Sequence, residues 1–381
     1  MIRKSNIGVS PTLQVSVGEV EIDYNSLMSI VIDYTLDNHD LCKVTMAGVP
    51  ARFITEYIGK GIRVKIDTGV SYVAEFYGTI EQATPSHVTK AGSVNGNMIQ
   101  EAVFVCMGAS FAMRGSTSRS WRNYSLQDMA TEFCDKYGFS LDIPSDPLIF
   151  PNMMQSLESD WNILVRYCHT MGYCVTVHGT HMHIFDPHKA AGRMISYHEI
   201  VTPTRTSITA SPGQIVAFDG KFSRFAADGR TIDALATVHT DTGVVYGVST
   251  SEVLGLSSPA EFSNPLSMTA ENHLQAERMI KAAYRDTYDY EASVTVLGMA
   301  GAFPGGIVKL DRYDGFFDGL WYVNGVSHSV RSGEFLTTLD LRKNKVDTLI
   351  DLAVDTFSTP PPPTFINSKW GSTLRTTNVY T

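Results

Sequence analysis

The sequence predicts a mainly β protein in which two antiparallel β domains, of barrel or sandwich type, flank a small α+β domain. Short runs rich in Val, Ile, Tyr and Phe, separated by turn signals, fill residues 11–115. Two capped amphipathic helices and a hairpin follow within residues 116–190, and strand-like runs resume over residues 191–345. Repeated short strands with turn signals are typical of antiparallel sandwiches and barrels.

The first β domain, residues 1–115, is predicted from partial alternation of apolar and polar residues. Turns that contain Gly or Asn separate its strands, and Pro50–Ile58 forms a short helix or turn. The predicted strands are Thr12–Val17, Met28–Thr35, Leu41–Ala47, Gly61–Asp67, Val73–Glu81 and Ile99–Met107.

The insert, residues 116–190, contains two predicted helices whose apolar residues recur every three or four positions. The helix Ser125–Tyr137 is followed by Gly138, and Glu158–Met171 begins near Ser156 or Ser159 and ends at Gly172. Ser before a helix and Gly after it are the expected caps. The other predictions are a strand Phe139–Ile143, a loop Pro144–Pro151, and a hairpin of Tyr173–Val177 and Met182–Phe185.

The second β domain, residues 191–345, contains one predicted helix, residues 270–284. Gly301–Gly306 is Gly-rich but precedes a strand, so it predicts a turn rather than a phosphate-binding loop. Residues 346–381 form a C-terminal arm with a stiff spacer, Pro360–Pro363. The scattered apolar residues of this arm are the candidate partner contacts: Phe365, Ile366, Trp370, Leu374 and Tyr380.

A similar pattern recurs in the two β domains. Gly61–Ile66 followed by Phe76–Ile80 resembles Gly306–Leu310 followed by Phe317–Trp321, and one more strand follows each copy. The repetition indicates two similar β units on either side of a dissimilar insert.

Two segments resemble the tail-hub family, which includes phage baseplate hubs, late control protein D and the N-terminal part of the type VI secretion spike protein VgrG. The resemblance spans roughly residues 10–345. Its first segment is carried by Glu158, Ser159, Asp160, Trp161, Leu164, Arg166, Gly172 and Asp186. Its second segment is carried by residues 317–323, His328 and residues 333–339.

The resemblance implies two tail-tube-like β domains in each chain. In that family three chains close into a homotrimeric ring of six such domains, so that a sixfold tail tube meets a threefold central spike. The implied partners are the spike protein, a tube or tube-terminating protein and other baseplate proteins. DNA would only pass through the central channel. The implied location is the virion tail, assembled in the host cytoplasm.

Composition limits the other function classes. The chain has 381 residues and a net charge of −9, which argues against a surface that coats nucleic acid. Its five cysteines include no CxxC pair and are expected to be reduced thiols. No signal-peptide core or membrane-length apolar run is found, so we expect a soluble protein without membrane insertion.

No motif for catalysis is recognised, and we expect neither an enzyme nor a cofactor. The sequence has no GxSxG, HExxH or Walker motif. Glu158 and Asp160 stand two residues apart at a predicted helix start, where they stabilise the helix dipole rather than face each other across a cleft.

Histidines crowd the predicted hairpin, and His178, His181 and His183 are the candidates for a metal site. The nearest possible further ligands, Cys174 and Asp186, are not at a matching spacing. The favoured interpretation is therefore a polar surface hairpin without a metal.

Two alternative functions stay open on the sequence alone. A tail-associated peptidoglycan hydrolase requires a cleft with facing acids or a metal. A carbohydrate-binding β module requires exposed aromatic platforms on a monomer.

Overall fold

A computed structural model of the protein describes part of the chain. The described residues are 11–49, 51–68, 73–86, 101–186, 197–201, 215–222, 230–231, 235–238, 245–248, 262–263, 269–270, 275, 290–311, 317, 319–331 and 333–343.

Strands from both β regions join a single 13-stranded sheet. The strands from the N-terminal region are β1 (Thr12–Val17), β2 (Val20–Glu21), β3 (Leu27–Thr35), β4 (Leu41–Ala47), β5 (Gly61–Asp67), β6 (Val73–Ser86) and β7 (Glu101–Gly108). Those from the C-terminal region are β13 (Tyr197–Val201), β14 (Ile215–Phe222), β20 (Tyr290–Leu297), β21 (Ile307–Asp311), β22 (Gly319–Arg331) and β23 (Glu334–Lys343). The order in the sheet is β14-β20-β23-β22-β3-β4-β7-β6-β5-β1-β2, with β21 against β22 and β13 against β21.

One apolar core underlies both regions of this sheet. Alternate residues of the strands point into it, as the period of two requires. Ile30 and Phe104 from the N-terminal region and Trp321 and Leu339 from the C-terminal region are completely buried in the same cluster. The mainly β fold class is confirmed, and the two similar halves share one continuous sheet and core.

The insert has a second core of its own, formed by two helices and two small sheets. Helix α2 (Leu126–Tyr137) begins at a capping box formed by Ser125 and Asp128 and is followed by Gly138 in the left-handed conformation. Helix α3 (Asp160–Thr170) is capped by Ser159. The sheets contain β8 (Ser116–Ser125) with β10 (Ile149–Ser159), and β9 (Ser140–Asp142) with β11 (Cys174–His178) and β12 (His181–Phe185).

Two sequence-based expectations for the insert were wrong. Residues 149–151, predicted as loop, begin strand β10. Its partner is β8, for which no strand was predicted: residues 116–124 carried no predicted element, and Ser125 was predicted as the start of a helix. Both strands are rich in polar residues because much of their surface faces solvent, so the apolar alternation that marks a strand is weak. Glu158 belongs to this strand and not to the helix.

Short elements complete the described part of the chain. They are the 3-10 helices Tyr24–Ser26 and Ala109–Arg114, the helix α1 (Ala51–Tyr57), and the strands β15 (Arg230–Thr231), β16 (Leu235–Val238), β17 (Val245–Val248), β18 (Phe262–Ser263) and β19 (Thr269–Ala270). The predicted helix 270–284 lies outside the described residues except for Ala270, in a strand, and Gln275, in a helix. In the described ranges, no helix has the length and apolarity that a membrane span requires.

Candidate functional site

The two halves of the chain meet where β22 pairs with β3. The pairing is antiparallel and runs from Gly325 opposite Thr35 to Arg331 opposite Ser29. In its centre, the hydroxyl of Ser327 donates a 2.6 Å hydrogen bond to Asp33. The junction is therefore a continuous strand ladder and not a contact between loops.

On either side of this junction, each half of the chain arranges five strands of the sheet in the same order. The N-terminal half has the spatial order β3-β4-β7-β6-β5, and the C-terminal half has the order β14-β20-β23-β22-β21. In both cases the third, fourth and fifth strands of the unit form an antiparallel meander. We call these the N-terminal unit and the C-terminal unit.

Two β-bulges in each unit show how the units correspond residue by residue. One extra residue interrupts β6 between Ile80 and Gln82 and β22 between Val323 and Gly325. Another interrupts β3 between Leu27 and Ser29 and β14 between Ile215 and Ala217. β-Bulges are conserved structural features, so bulges at equivalent strands of the two units mark equivalent residues.

Once the bulges are matched, the register agrees across four strands of each unit. The row Ile30–Val44–Phe104–Ala83 of the N-terminal unit corresponds to the row Phe218–Val294–Leu339–Val326 of the C-terminal unit. The predicted duplication is therefore seen in the strand order and in the register. The sequence pattern aligned Gly61 with Gly306, but the strand pairing aligns Gly61 with Ile307. The alignment of the two units expected from the sequence was therefore shifted by one residue or more.

The same match shows two strand edges that have no partner in the described part of the chain. In β6, pairing with β5 ends at Thr79, so no described strand lies on the β5 side of residues 82–86. The corresponding segment of β22 is the one that pairs with β3. At the other end of the sheet, β14 pairs only with β20 among the described strands, whereas its counterpart β3 pairs on both sides. Val216 on this edge is 55% exposed.

The insert is attached to the sheet by the turn between β3 and β4. Asp37 accepts a 2.8 Å hydrogen bond from the Val175 amide, and its other carboxylate oxygen lies 2.9 Å from Nε2 of His169. The ring of His39 lies 4.9 Å from that of Trp161, and burial lowers the pKa of His39 to about 4. Together these contacts fix one end of the insert on the N-terminal unit.

Asp160 organises the interior of the insert. Its side chain is fully buried and receives hydrogen bonds from Arg119 at 2.7 Å, Lys136 at 2.6 Å and Tyr137 at 2.8 Å. A fourth comes from Gln155 at 2.8 Å. Burial alone would raise the pKa of this carboxyl, but the bonds from Lys136, Gln155 and Arg119 outweigh it and hold the pKa well below its ordinary value.

Glu158 and Asp160 do not form an acid pair. Glu158 lies on β10 and forms an ion pair with Arg166, while Asp160 is occupied by its own partners. The expectation that both carboxylates stabilise a helix start was therefore wrong for Glu158. Asp160 is the first residue of α3, but its main contacts join strands and helices across the insert.

The histidine hairpin is buried, and so the expectation of a surface hairpin was wrong. His181 and His183 are each 9% exposed, and His178 lies 5.3 Å from the ring of Tyr34 in the N-terminal unit. Burial lowers the pKa of both His181 and His183, and for His183 the neighbouring His181 lowers it further. Asp142, which the sequence analysis did not single out, lies opposite His183 on β9.

The predicted partner contacts of the arm fall outside the described residues. They are Phe365, Ile366, Trp370, Leu374 and Tyr380. The two open strand edges contain no residue that the sequence analysis singled out, and the repeated pattern around Gly61 and Gly306 is the sequence signal that points to them.

A family model described as the Alg8 N-terminal domain matches residues 88–332, which is more than half of the chain. The chain belongs to the Alg8 N-terminal domain family. No curated protein matches the sequence.

Several solved structures share the fold of this Alg8 N-terminal domain protein over most of its length. The tail protein of Neisseria meningitidis is 14% identical, with 88% of this chain and 98% of that chain covered and a TM-score of 0.62. The prophage MuSo2 43 kDa tail protein of Shewanella oneidensis is 14% identical, with 87% and 96% covered and a TM-score of 0.59. A type VI secretion component of Escherichia coli, described as similar to T4 tail proteins, is 9% identical, with 88% and 78% covered and a TM-score of 0.55.

These structures confirm the resemblance to tail-hub proteins at the level of the fold.

Proposed function

We propose that this protein is the structural hub of a phage-type tail or baseplate. Three chains form a pseudo-sixfold ring that joins the tail tube to the central spike and leaves a channel for the genome. The observation that carries the proposal is the correspondence between the β22–β3 junction and the two open edges. The tail proteins that share the fold support the same assignment.

The internal junction provides the template for contacts between chains. The β22 segment that pairs with β3 corresponds to residues 82–86 of β6, and β3 corresponds to β14. Pairing β6 of one chain with β14 of the next would repeat the same antiparallel ladder. Ser327 opposite Asp33 then corresponds to Thr84 opposite Lys221 of the neighbouring chain.

This head-to-tail contact uses two different surfaces, so repeated addition either closes a ring or grows into a filament. Each chain supplies two equivalent units, and three chains therefore give a ring of six. Closure covers every open edge of this kind, which also prevents uncontrolled strand pairing. Pro85 lacks an N–H, and the ladder between chains accordingly has one donor fewer than the internal ladder.

The role of the protein is geometric and does not require a reaction. In the proposed assembly the ring meets a sixfold tail tube or tube-terminating protein on one side and a threefold spike on the other. The insert and the C-terminal arm, residues 346–381, contact other baseplate proteins and the spike. DNA crosses the channel without a dedicated binding site, in keeping with the net charge of −9.

The molar mass of the purified full-length protein tests this proposal. Light scattering should give a trimer, either for the protein alone or after mixing with its spike protein, and end-on electron micrographs should show six lobes. A monomer under both conditions, without affinity for the spike, would contradict it. Glycan binding by such a monomer would instead favour a carbohydrate-binding module, and lysis of cell-wall material a hydrolase.

A further inference from the structure

Two adjacent strands of the insert bring three possible metal ligands together. His181 and His183 are two residues apart on β12 and thus point to the same face of the sheet. Asp142 on the parallel strand β9 lies directly opposite His183. One ligand atom from each of the three residues lies within 4.8 Å of the others, and Nδ1 of His183 is 3.9 Å from the Asp142 carboxylate.

The histidine nitrogens at this cluster have unsatisfied hydrogen-bonding capacity. Among the described residues, no hydrogen-bond partner is found for Nε2 of His181 or Nδ1 of His183, although both atoms are buried. Each of the two residues is only 9% exposed. Buried polar atoms in native proteins are nearly always paired, so the two nitrogens indicate a missing partner. A cation that accepts both lone pairs would supply it.

The surroundings orient the ligands. The Ser140 hydroxyl lies 2.5 Å from Nδ1 of His181, which leaves Nε2 of that ring for the cluster. Outer-shell contacts of this kind fix the ring and tautomer of a metal-bound histidine. The Asp142 side chain is 49% exposed, and the cluster is therefore accessible to ions and water from that side.

We propose that Asp142, His181 and His183 bind one divalent transition-metal ion of the Zn²⁺ class, with water as the fourth ligand. Two imidazoles and a carboxylate suit Zn²⁺, whose coordination is usually tetrahedral. The ion would link β9 to β12 and strengthen the sheet of the insert that faces the N-terminal unit. His178, on the opposite strand, remains outside the ligand set, since its Nδ1 faces Asp40 at 3.6 Å.

The test uses Co²⁺ as a visible probe in the full-length protein after treatment with a chelator. One Co²⁺ per chain should give the intense visible bands of a tetrahedral site, and Zn²⁺ should displace it. The variant Asp142→Asn removes the charge of a direct ligand and should weaken binding by about tenfold or more, since even the loss of an outer-shell partner costs about 10–100-fold. The double variant His181→Gln with His183→Gln should abolish the bands. The control His39→Gln alters a histidine outside the cluster and should bind Co²⁺ as the unchanged protein does.

Retention of the tetrahedral bands by the double histidine variant would assign the metal to other residues and overturn the proposal. Failure of the unchanged protein to bind Co²⁺ or Zn²⁺ would overturn it as well. If the double variant does not fold, Asp142→Asn still decides the question, because its half-exposed side chain can change without disturbing a core. The test does not depend on the oligomeric state, so its outcome is separate from that of the hub proposal.

Discussion

The hydroxyl of Ser327 donates a 2.6 Å hydrogen bond to the carboxylate of Asp33, across 294 positions of sequence. This bond lies in the ladder that joins the two repeated units into one sheet. At the equivalent position of the proposed assembly, Thr84 of one chain lies opposite Lys221 of another. The way in which the chain connects its own halves is thus the basis of the proposed assembly.

Replacement of Asp160 should strongly destabilise the protein. The variant Asp160→Ala removes the shared acceptor of Arg119, Lys136 and Gln155, and we expect a loss of about 1.5–3 kcal/mol, the usual contribution of a hydrogen bond to a charged group. Denaturant unfolding of the full-length protein measures the loss. The control Glu158→Gln removes the more exposed ion pair with Arg166 and should cost no more than about 1 kcal/mol. Equal losses would mean that Asp160 does not hold the insert together.

Gly78 should not tolerate a side chain. A Cβ atom at this position would lie 2.1 Å from the Met107 carbonyl oxygen and 2.7 Å from the Phe76 ring. We expect Gly78→Ala to lower the free energy of unfolding by about 1–3 kcal/mol or more, since backbone must move. At Gly61, on the adjacent strand, the nearest atom would be 3.9 Å away, so Gly61→Ala should be far milder. A mild effect at Gly78 would contradict the close approach of β6 and β7.

Asp37 should stabilise the protein in two ways, through its left-handed backbone conformation and through its contacts with the insert. Its φ of 58° lies in the left-handed region, which Asn adopts more readily than Ala. The variant Asp37→Asn should therefore lose mainly the contact with His169. Asp37→Ala should also lose the bond from the Val175 amide and cost about 1–3 kcal/mol more. Urea unfolding of both variants tests this order, and a reversed order would refute it.

The buried His328 should make stability depend on pH. Burial lowers its pKa to about 4, whereas the unfolded chain protonates near the ordinary value of 6.5. Between pH 4 and 6.5 the unfolded state therefore binds more protons than the folded state. The free energy of unfolding should fall as the pH drops from about 6.5 towards 4, by at most about 1.4 kcal/mol per pH unit.

The variant His328→Gln isolates this contribution, because Gln can still bond to Thr337 but does not titrate. The difference in unfolding free energy between the unchanged protein and the variant should shrink across that pH range. A constant difference would show that His328 does not carry the pH dependence.

Local signals in the sequence predicted much of the fold. Strand β5 coincides with its prediction, because alternating apolar residues face the core. Helix α2 lies where Ser125 and Gly138 indicated, because capping depends on neighbouring residues. Polar strands β8 and β10 lack such alternation and were missed.

The candidate sites depended on contacts that a sequence does not display. His183 meets Asp142 only because β9 adds to the hairpin as a parallel strand. The predicted strand Phe139–Ile143 contained Asp142, but no spacing rule connects residues so far apart. Likewise, the repeated pattern indicated two units, while the exact match of their registers required the positions of the bulges.

Disulfide trapping between Thr84→Cys and Lys221→Cys tests the central claim most directly. Directly opposite residues in an antiparallel ladder have Cα atoms about 4.5–5.5 Å apart, within the range that a disulfide spans. The account predicts covalent dimers and trimers of the double variant after mild oxidation. The double variant Ser327→Cys with Asp33→Cys, at the equivalent internal position, should form a disulfide within one chain.

The control is the double variant Thr84→Cys with Ala217→Cys. Ala217 lies roughly 13 Å along the strand from Lys221, so this variant should remain monomeric. If the internal pair forms its bond while Thr84→Cys with Lys221→Cys gives only monomers, the proposed pairing of β6 with β14 is contradicted.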